Sequence, residues 1–450
     1  MTSLTFYGGA NEIGGNKFLL EDKGARIYLD FGAGFGFGEE FFYEWLTPRA
    51  ANGLEVYFEF GLVPKTPRLY SKTMLELTDL KYQKPDIDGV FISHSHSDHS
   101  GHLSFLDENI PLYIGHGTKL ILDAYRKLYS FVDYGEHNSI NLFKSGDKIK
   151  VKHLVIEPIH VDHSVPGAYG FIIHTSKGAL VYTGDFRMHG PMKAMSEEFV
   201  ERASKSKPIA LLCEGTRMTQ DQSENYSEKD VEDKVSEIVK NSKGMVMGDW
   251  AMTNLDRFRS FYNSAVKNNR ILVIDTRLAC IIDTIREKVA LPDVMSDKNI
   301  RVYFRLSRSG QFKEKDYTTW ERKYYPKIIT YKDLKKDQKK YLMHMGFYRL
   351  MELVYIKPKN AEMIYSQSEH FLEGDENEWQ RTILENWMRH FNIKFHKAHC
   401  SGHASKSDLI EAIKKINPKV LIPVHTQAAE EFKKVHDKVK LINKSDKIEL

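Results

Sequence analysis

Phe91-Ile92-Ser93-His94-Ser95-His96-Ser97-Asp98-His99-Ser100-Gly101-His102 is the stretch on which the reading of this chain turns. Four histidines and an aspartate fall within nine residues, directly after the apolar run Gly89-Val90-Phe91-Ile92. On an extended segment His94 and His96, two positions apart, point the same way. Asp98 and His99 follow where a strand should turn into a helix, and so face a second point in space. Imidazoles with a carboxylate suit zinc or another borderline divalent metal. A histidine-rich surface loop is the alternative, and the pattern His-x-His-x-Asp-His at a strand end disfavours it. One stretch cannot close a metal site, so the remaining donors must come from elsewhere.

Other strand ends supply candidates. His160-Val161-Asp162-His163, Tyr182-Thr183-Gly184-Asp185-Phe186 and Pro423-Val424-His425 each place a histidine or aspartate at or just past an apolar run. That is where layered α/β folds open into a crevice. Taken singly, each is more often a capped turn. Taken with the histidine fan, they read as the rest of a donor set.

The chain has 450 residues, 41% hydrophobic and 28% charged, and is globular in character with two domains expected from its length. Its net charge of +4 argues for nothing, but the distribution does. Lys298 to Lys359 carries 17 Lys/Arg against 6 Asp/Glu, an excess of 11, so the remainder stands at −7 (4 less 11). A basic segment on a mildly acidic body suggests a polyanionic partner. Within that segment Tyr303, Phe304, Trp320, Tyr324, Tyr325 and Tyr331 interleave with the basic residues, a composition that suits single strands. A solvated lysine surface is the bland alternative. Cys213, Cys280 and Cys400 have no paired spacing, which fits a reducing compartment. The first residues show no signal-peptide pattern and no run approaches the roughly 18 apolar residues of a membrane span. A soluble, cytoplasmic protein is expected, with no membrane partner.

Residues 1 to 207 alternate apolar and polar positions with turns between, as in hairpins feeding a sheet packed by helices. Strands are expected at Leu4–Tyr7, Lys17–Leu20 and Ala25–Leu29, and a helix at Thr118–Phe131. Residues 33 to 80 form a long excursion, read as a lid or wall beside the site or as a contact in a homodimer. From Pro208 strands and helices alternate, beginning with Ile209–Cys213, which indicates a parallel βαβ-type domain. The tail repeats the alternation from strand Lys394–Lys397 through helix Lys406–Ile416 to strand Val420–Pro423. The early Gly8-Gly9-Ala10-Asn11-Glu12-Ile13-Gly14 turn precedes strand-like residues, so it reads as close hairpin packing, not a phosphate loop.

His94-Ser95-His96-Ser97-Asp98-His99, with Asp30, His163 and Asp185, resembles the motif set of the metallo-β-lactamase superfamily. Glu214, the turn Ser401-Gly402-His403-Ala404-Ser405, and His425 resemble the further motifs of its β-CASP nucleases. The Gly8–Gly14 turn and the Ser-Gly-His-Ala-Ser turn are most similar to the ribonuclease J group. Thr426 stands where glycine is usual after the last histidine, and Glu214 where aspartate is common. The resemblance implies an α/β fold: a metallo-β-lactamase αββα sandwich with an inserted βαβ-type β-CASP domain. The expected divisions are 1–207 and 393–450 for the sandwich and 208–392 for the insert.

By the same resemblance, His94, His96 and His163 hold one divalent ion and Asp98, His99 and His425 a second. Asp185 bridges them, and Asp30 steadies a ligand histidine from behind. Zinc is the expected metal, with manganese the alternative. Such a pair supports phosphodiester hydrolysis, with Asp98 and Asp185 among the catalytic residues. His403, held by Glu214, is the implied acid for the leaving oxygen, and the turn Ser401, Gly402, His403, Ala404, Ser405 the implied phosphate cradle. A histidine at position 425 goes with the RNA-processing members of the group, where DNA-repair members have valine. The implied activity is a metal-dependent ribonuclease acting on single-stranded RNA, in the 5′→3′ exonuclease mode with endonuclease cleavage as a second mode. The rivals are a DNA exonuclease of the same fold, a metallo-hydrolase of small esters, and a catalytically silent RNA-binding subunit. His102 lies outside the motif and reads as a helix-face histidine.

Overall fold

The computed structural model describes all residues except 35–40, 43–45, 130–133, 220–225 and 369–377. The chain divides into two units, Met1–Glu224 with Gly402–Leu450, and Asn225–Ser401. Strands β1 (Thr2–Phe6), β2 (Phe18–Asp22), β3 (Ala25–Leu29), β4 (Gly89–Ile92), β5 (Leu112–Gly115), β6 (Ile140–Phe143), β7 (Ile149–Val151), β8 (Leu154–Val161), β9 (Ala168–Thr175), β10 (Gly178–Tyr182) and β11 (Ala210–Glu214) come first. The second unit holds β12 (Val246–Asp249), β13 (Ile271–Asp275), β14 (Ile300–Tyr303), β15 (Ile328–Ile329), β16 (Tyr341–His344), β17 (Glu362–Tyr365) and β18 (Lys394–Lys397). The returning segment adds β19 (Leu421–Val424) and β20 (Lys447–Glu449).

In the first unit these strands form two sheets, ordered β20-β1-β2-β3-β4-β5-β6 and β19-β11-β10-β9-β8-β7. Side chains alternate across each strand, and here both sets are apolar. Leu4, Phe6, Phe18, Leu20, Ile27 and Leu29 of the first sheet meet Leu154, Ile156, Phe171, Ile173 and Leu180 of the second. The opposite set, Leu19, Tyr28, Val90 and Ile92, packs against Leu54, Tyr57, Phe58, Tyr70 and Leu103. On the far side Ile159, Ile172, Val181 and Leu211 pack against Phe199 and Val200 of helix Lys193–Lys205, and against Leu409 and Ile413 of helix Lys406–Ile416. Sheets apolar on both faces must be covered on both faces. The result is the αββα sandwich.

Several boundaries differ from the sequence reading. Ile209–Cys213, read as the start of the insert, lies in β11, which pairs in parallel with β10 and β19 inside the sandwich. Lys394–Lys397, read as part of the return, is β18 and pairs with β17 of the second unit. The divisions therefore fall at 224/225 and 401/402, not at 207/208 and 392/393. A strand belongs to the sheet whose backbone it bonds, which local composition does not encode. Helix Lys193–Lys205 carries no signal strong enough to read, because two of its four buried positions are Ser196 and Ala203. The described part of the 33–80 excursion supplies short helices and core residues for the first sheet's outer face. Parts of it, residues 35–40 and 43–45, lie outside the described residues. The helix expected at Thr118–Phe131 spans His116–Leu128, and Phe131 is likewise outside them.

The second unit is a parallel sheet, β15-β14-β13-β16-β12-β17-β18, as the βαβ alternation predicts. One buried charge pair stands out in it. Arg257 donates Nε to Glu228 Oε1 at 2.8 Å and its remaining N–H groups to Glu228 Oε2, the Ser366 carbonyl and hydroxyl, and the Cys400 carbonyl. Ser260 Oγ and Cys400 Sγ complete the carboxylate.

Candidate metal centre

The fan is built by β4 and by two glycine-bearing segments that grip the turn following it. Beyond Ile92 the strand ends and the chain bends at Ser95 and His96, and a short helix, Ser97–Ser100, carries Asp98 and His99. Asn16 N donates to the Asp98 carbonyl, Phe31 N to the His99 carbonyl and Ala33 N to the Ser97 carbonyl. Gly32 makes this approach feasible: a Cβ there would lie 1.7 Å from the Asp98 carbonyl oxygen.

Three imidazole nitrogens converge. His94 Nε2 is 3.0 Å from His96 Nδ1, and His163 Nε2 is 3.2 Å from the same atom. Burial pushes all three rings toward the neutral form, His96 to about 4 and the other two well below the ordinary histidine value. Neutral nitrogens facing one another at this distance present lone pairs to a common point. Asp185 Oδ2 lies 3.7 Å from His94 and 4.0 Å from His163.

The same aspartate joins a second group. Its Oδ2 is 3.1 Å from His99 Nε2 and 3.7 Å from His425 Nε2, while Asp98 Oδ2 is 3.4 Å and 2.9 Å from the same two nitrogens. Burial opposes charge on His99, but Asp185, Asp98 and Asp30 outweigh it and raise the ring well above its ordinary value. The Nε2 proton there is the charge that a divalent cation would replace. Asp98 Oδ1 and Asp185 Oδ1 are buried without a hydrogen-bond partner. Orphaned carboxylate oxygens beside converging neutral imidazoles fit divalent ions with nitrogen and oxygen donors.

Asp30 stands behind His99. Its Oδ2 accepts from His99 Nδ1 at 2.8 Å, Ser93 Oγ at 2.8 Å and Tyr182 Oη at 2.7 Å, and its Oδ1 accepts from Ser93 N at 2.7 Å. That fixes the proton on Nδ1 and turns Nε2 into the site. His425 sits at φ +52, with Thr216 Oγ1 2.9 Å from its Nδ1. His102 packs on Phe105 with rings 4.7 Å apart and takes no part.

Glu214 is fully buried, accepts from Phe186 N and Thr216 N, and lies 3.2 Å from His403 Nδ1. Burial works against charge on His403, yet Glu214 and then Asp185 raise it to about 9. A cation beside Asp185 would remove that second contribution and leave Glu214 as the partner. The turn carrying His403 is tied down from both sides. The Gly402 carbonyl accepts from His163 Nδ1 at 2.6 Å, and a Cβ on Gly402 would meet Ser164 Oγ at 2.7 Å.

The expected phosphate cradle is smaller than the sequence suggests. Ala404 N already donates to the Phe186 carbonyl, and Ser405 Oγ caps helix Lys406–Ile416 by accepting from Asp408 N. Both are buried and committed. Gly402 and His403 are the part of the turn left in the first unit, and Ser401 closes the second.

Some supporting residues escape a sequence reading. Ser93 contacts the His94 and His99 rings and Thr216 the His425 ring, Tyr182 holds Asp30, and Asp162 and Arg187 join the turns carrying His163 and Asp185. Arg187 Nε donates to Asp162 Oδ1 at 2.8 Å, and Arg187 N donates to the Asp162 carbonyl. Ser196 Oγ donates to the Arg187 carbonyl and accepts from Asp162 N. The only local hint is that each neighbours a motif residue.

Fold and donor set together define a metallo-β-lactamase-type sandwich with a β-CASP insertion. A "Beta-lactamase superfamily domain" model matches residues 70–225, and a "Zn-dependent metallo-hydrolase RNA specificity domain" model matches residues 390–438. Among curated proteins the chain is similar to ribonuclease J. It is 23% identical to that of Sinorhizobium meliloti, over 79% of this chain and 60% of the relative, and 24% identical to that of Helicobacter pylori, over 94% and 55%. It therefore spans little more than half the length of these two. The Methanocaldococcus jannaschii ribonuclease J is 22% identical over 93% of this chain and 90% of its own. A crystal structure of an Enterococcus faecalis protein of unknown function matches with TM-score 0.76 and 25% identity over 99% of both chains. No helix among the described residues is long and apolar enough to cross a membrane.

Proposed function

We propose that this protein is a cytoplasmic, metal-dependent ribonuclease that hydrolyses single-stranded RNA, chiefly as a 5′→3′ exonuclease, through two divalent ions, zinc in the first instance. The observation that carries this is the sharing of Asp185 between two donor clusters in one unit, with His403 and Glu214 beside them. His94, His96 and His163 would hold one ion, Asp98, His99 and His425 the other, and Asp185 would face both. Bound there, the ions would supply Lewis acidity toward water and toward the phosphate oxygens.

The chain's own groups do the rest. Asp30 keeps the His99 proton on Nδ1, so that Nε2 is available as a ligand. Glu214 holds His403 Nδ1–H, which favours the charged ring and leaves Nε2–H as the proton for the leaving oxygen. The choice of RNA rests on His425, on the names of the relatives and on the basic second unit. The test is incubation of the zinc- or manganese-loaded protein with RNA and DNA of one sequence bearing 5′-monophosphate, 5′-triphosphate or 5′-hydroxyl ends. Mononucleotides released from 5′-monophosphorylated RNA are expected. Equal cleavage of DNA, or none of any RNA, overturns the reading.

A further inference from the structure

Of the aromatic residues that the sequence suggests for a single-strand surface, Tyr303, Phe304 and Tyr324 are buried. They belong to the packing of the second unit and cannot stack on bases. Different side chains take the exposed positions. Tyr348 is 87% exposed, Met351 64% and Tyr355 42%, on the turn Phe347–Arg349 and the short helix Glu352–Ile356. Isolated exposed apolar groups are ordinary, but four of them, Tyr348, Met351, Val354 and Tyr355, fall within eight residues of chain here.

This patch is joined to a cluster of lysines. Tyr355 packs on Tyr331, rings 5.6 Å apart, at the start of the helix Tyr331–Lys336. Gln338 Nε2 donates to the Lys357 carbonyl at 3.0 Å, and Lys359 N donates to Gln338 Oε1 at 2.8 Å. The lysines around Gln338 are thereby pinned to the end of the Tyr355 helix. Lys335, Lys339, Lys340, Lys357 and Lys359 are all exposed, and none makes an ion pair among the described residues. Lys336 does, with Asp333.

We propose that this face of the second unit, Tyr348–Tyr355 with the lysines of 335–340 and 357–359, is a docking surface for single-stranded nucleic acid. The lysines neutralise successive phosphates while the exposed rings take the π-faces of bases, so binding is strong, salt-dependent and indifferent to sequence. Charge selects this occupant over the same face of a second copy, since a symmetric pair would bring the unpaired lysines against themselves. That the natural occupant is RNA rests on the ribonuclease reading above.

The test measures binding of a fluorescent, uncleavable 2′-O-methyl oligouridylate to the metal-loaded full chain over a salt series. Hydrolysis of bis(p-nitrophenyl) phosphate and of 5′-monophosphorylated RNA is followed in parallel. Tyr348→Ala with Tyr355→Ala should weaken binding at least about tenfold. Lys335→Gln with Lys339→Gln and Lys340→Gln should lower the log–log salt slope by about 2. Both variants should hydrolyse the small diester at the wild-type rate, and the lysine variant should melt at the wild-type temperature. Unchanged affinity and slope in both variants overturn the proposal. So does a change of oligomeric state in the tyrosine variant with affinity unchanged, which would make the patch a self-association face. A wild type that binds the oligonucleotide through this surface but cleaves no RNA would refute the ribonuclease reading and leave the surface standing.

Discussion

Two buried charged clusters, one in each unit, are solved in opposite ways. In the second unit Arg257 faces Glu228, and serine, cysteine and backbone groups satisfy what is left of both. In the first unit Asp30, Asp98, Asp185 and Glu214 are buried among histidines, two carboxylate oxygens face no donor, and three of the rings are held neutral. A balanced pair needs nothing further. In the unbalanced one only the His99 and His403 rings offset four carboxylates, so a cation placed there would relieve a buried charge that is costly to leave unpaired. On the proposed reading, the difference separates a structural cluster from a functional one.

The sharpest way to break the contrast is Asp185→Asn. Metal content by elemental analysis should fall, and RNA turnover should drop by several kcal/mol of barrier, roughly a thousandfold. Added zinc should raise the melting temperature of the wild type, as a ligand of the native state does, and should not do so in the variant. Full activity in metal-depleted Asp185→Asn protein would sink the shared-site reading.

Arg257→Ala attacks the other cluster. It strands Glu228 in the interior and should cost about 3–5 kcal/mol of stability in chemical denaturation. The loss should be the same with and without zinc. A zinc-dependent loss would mean that the two clusters are not independent in kind.

His403→Ala should slow turnover roughly a hundredfold with metal content unchanged, since proton donation is its assigned task. Loss of metal instead would make it a ligand.

Asp22 gives the smallest effect and a control carboxylate. Burial alone would raise its pKa, but hydrogen bonds from Ser176, His153 and Thr2 outweigh it and hold the group well below the usual carboxylate range. Its contribution is therefore present above the unfolded value near 3.9 and lost as pH falls from there toward the folded one. Asp22→Asn should remove roughly 2 kcal/mol of stability at neutral pH and flatten the acid limb of the stability profile. An unchanged acid limb would refute that assignment.

How far the sequence led depends on what kind of information each feature needs. Four of the candidate donors were legible because each stands just past a strand: His94 after Ile92, His163 after Val161, Asp185 after Thr183, His425 after Val424. Local pattern marks strand ends, and a histidine or aspartate there is uncommon enough to notice. Sheet membership was not legible. β11 and β18 both read as strands near a domain boundary, and only their backbone partners place them in different units. The supports were illegible for the same reason: Tyr182, Thr216 and Arg187 are ordinary polar residues until distant segments fold against them. Exposure was the third gap. Composition counts Tyr303 and Tyr348 equally, yet one is core and the other almost wholly in solvent.

The pairing of His425 with Asp98, 327 positions apart, carries a consequence for the order of events in the cell. A ribosome-bound chain displays the histidine fan long before it holds a complete donor set. Strand β19 must be made and inserted beside β11 before His425 can reach Asp98. Synthesis order thus sets when the Asp98–His425 cluster can form, because a half-made chain presents the fan without its last member.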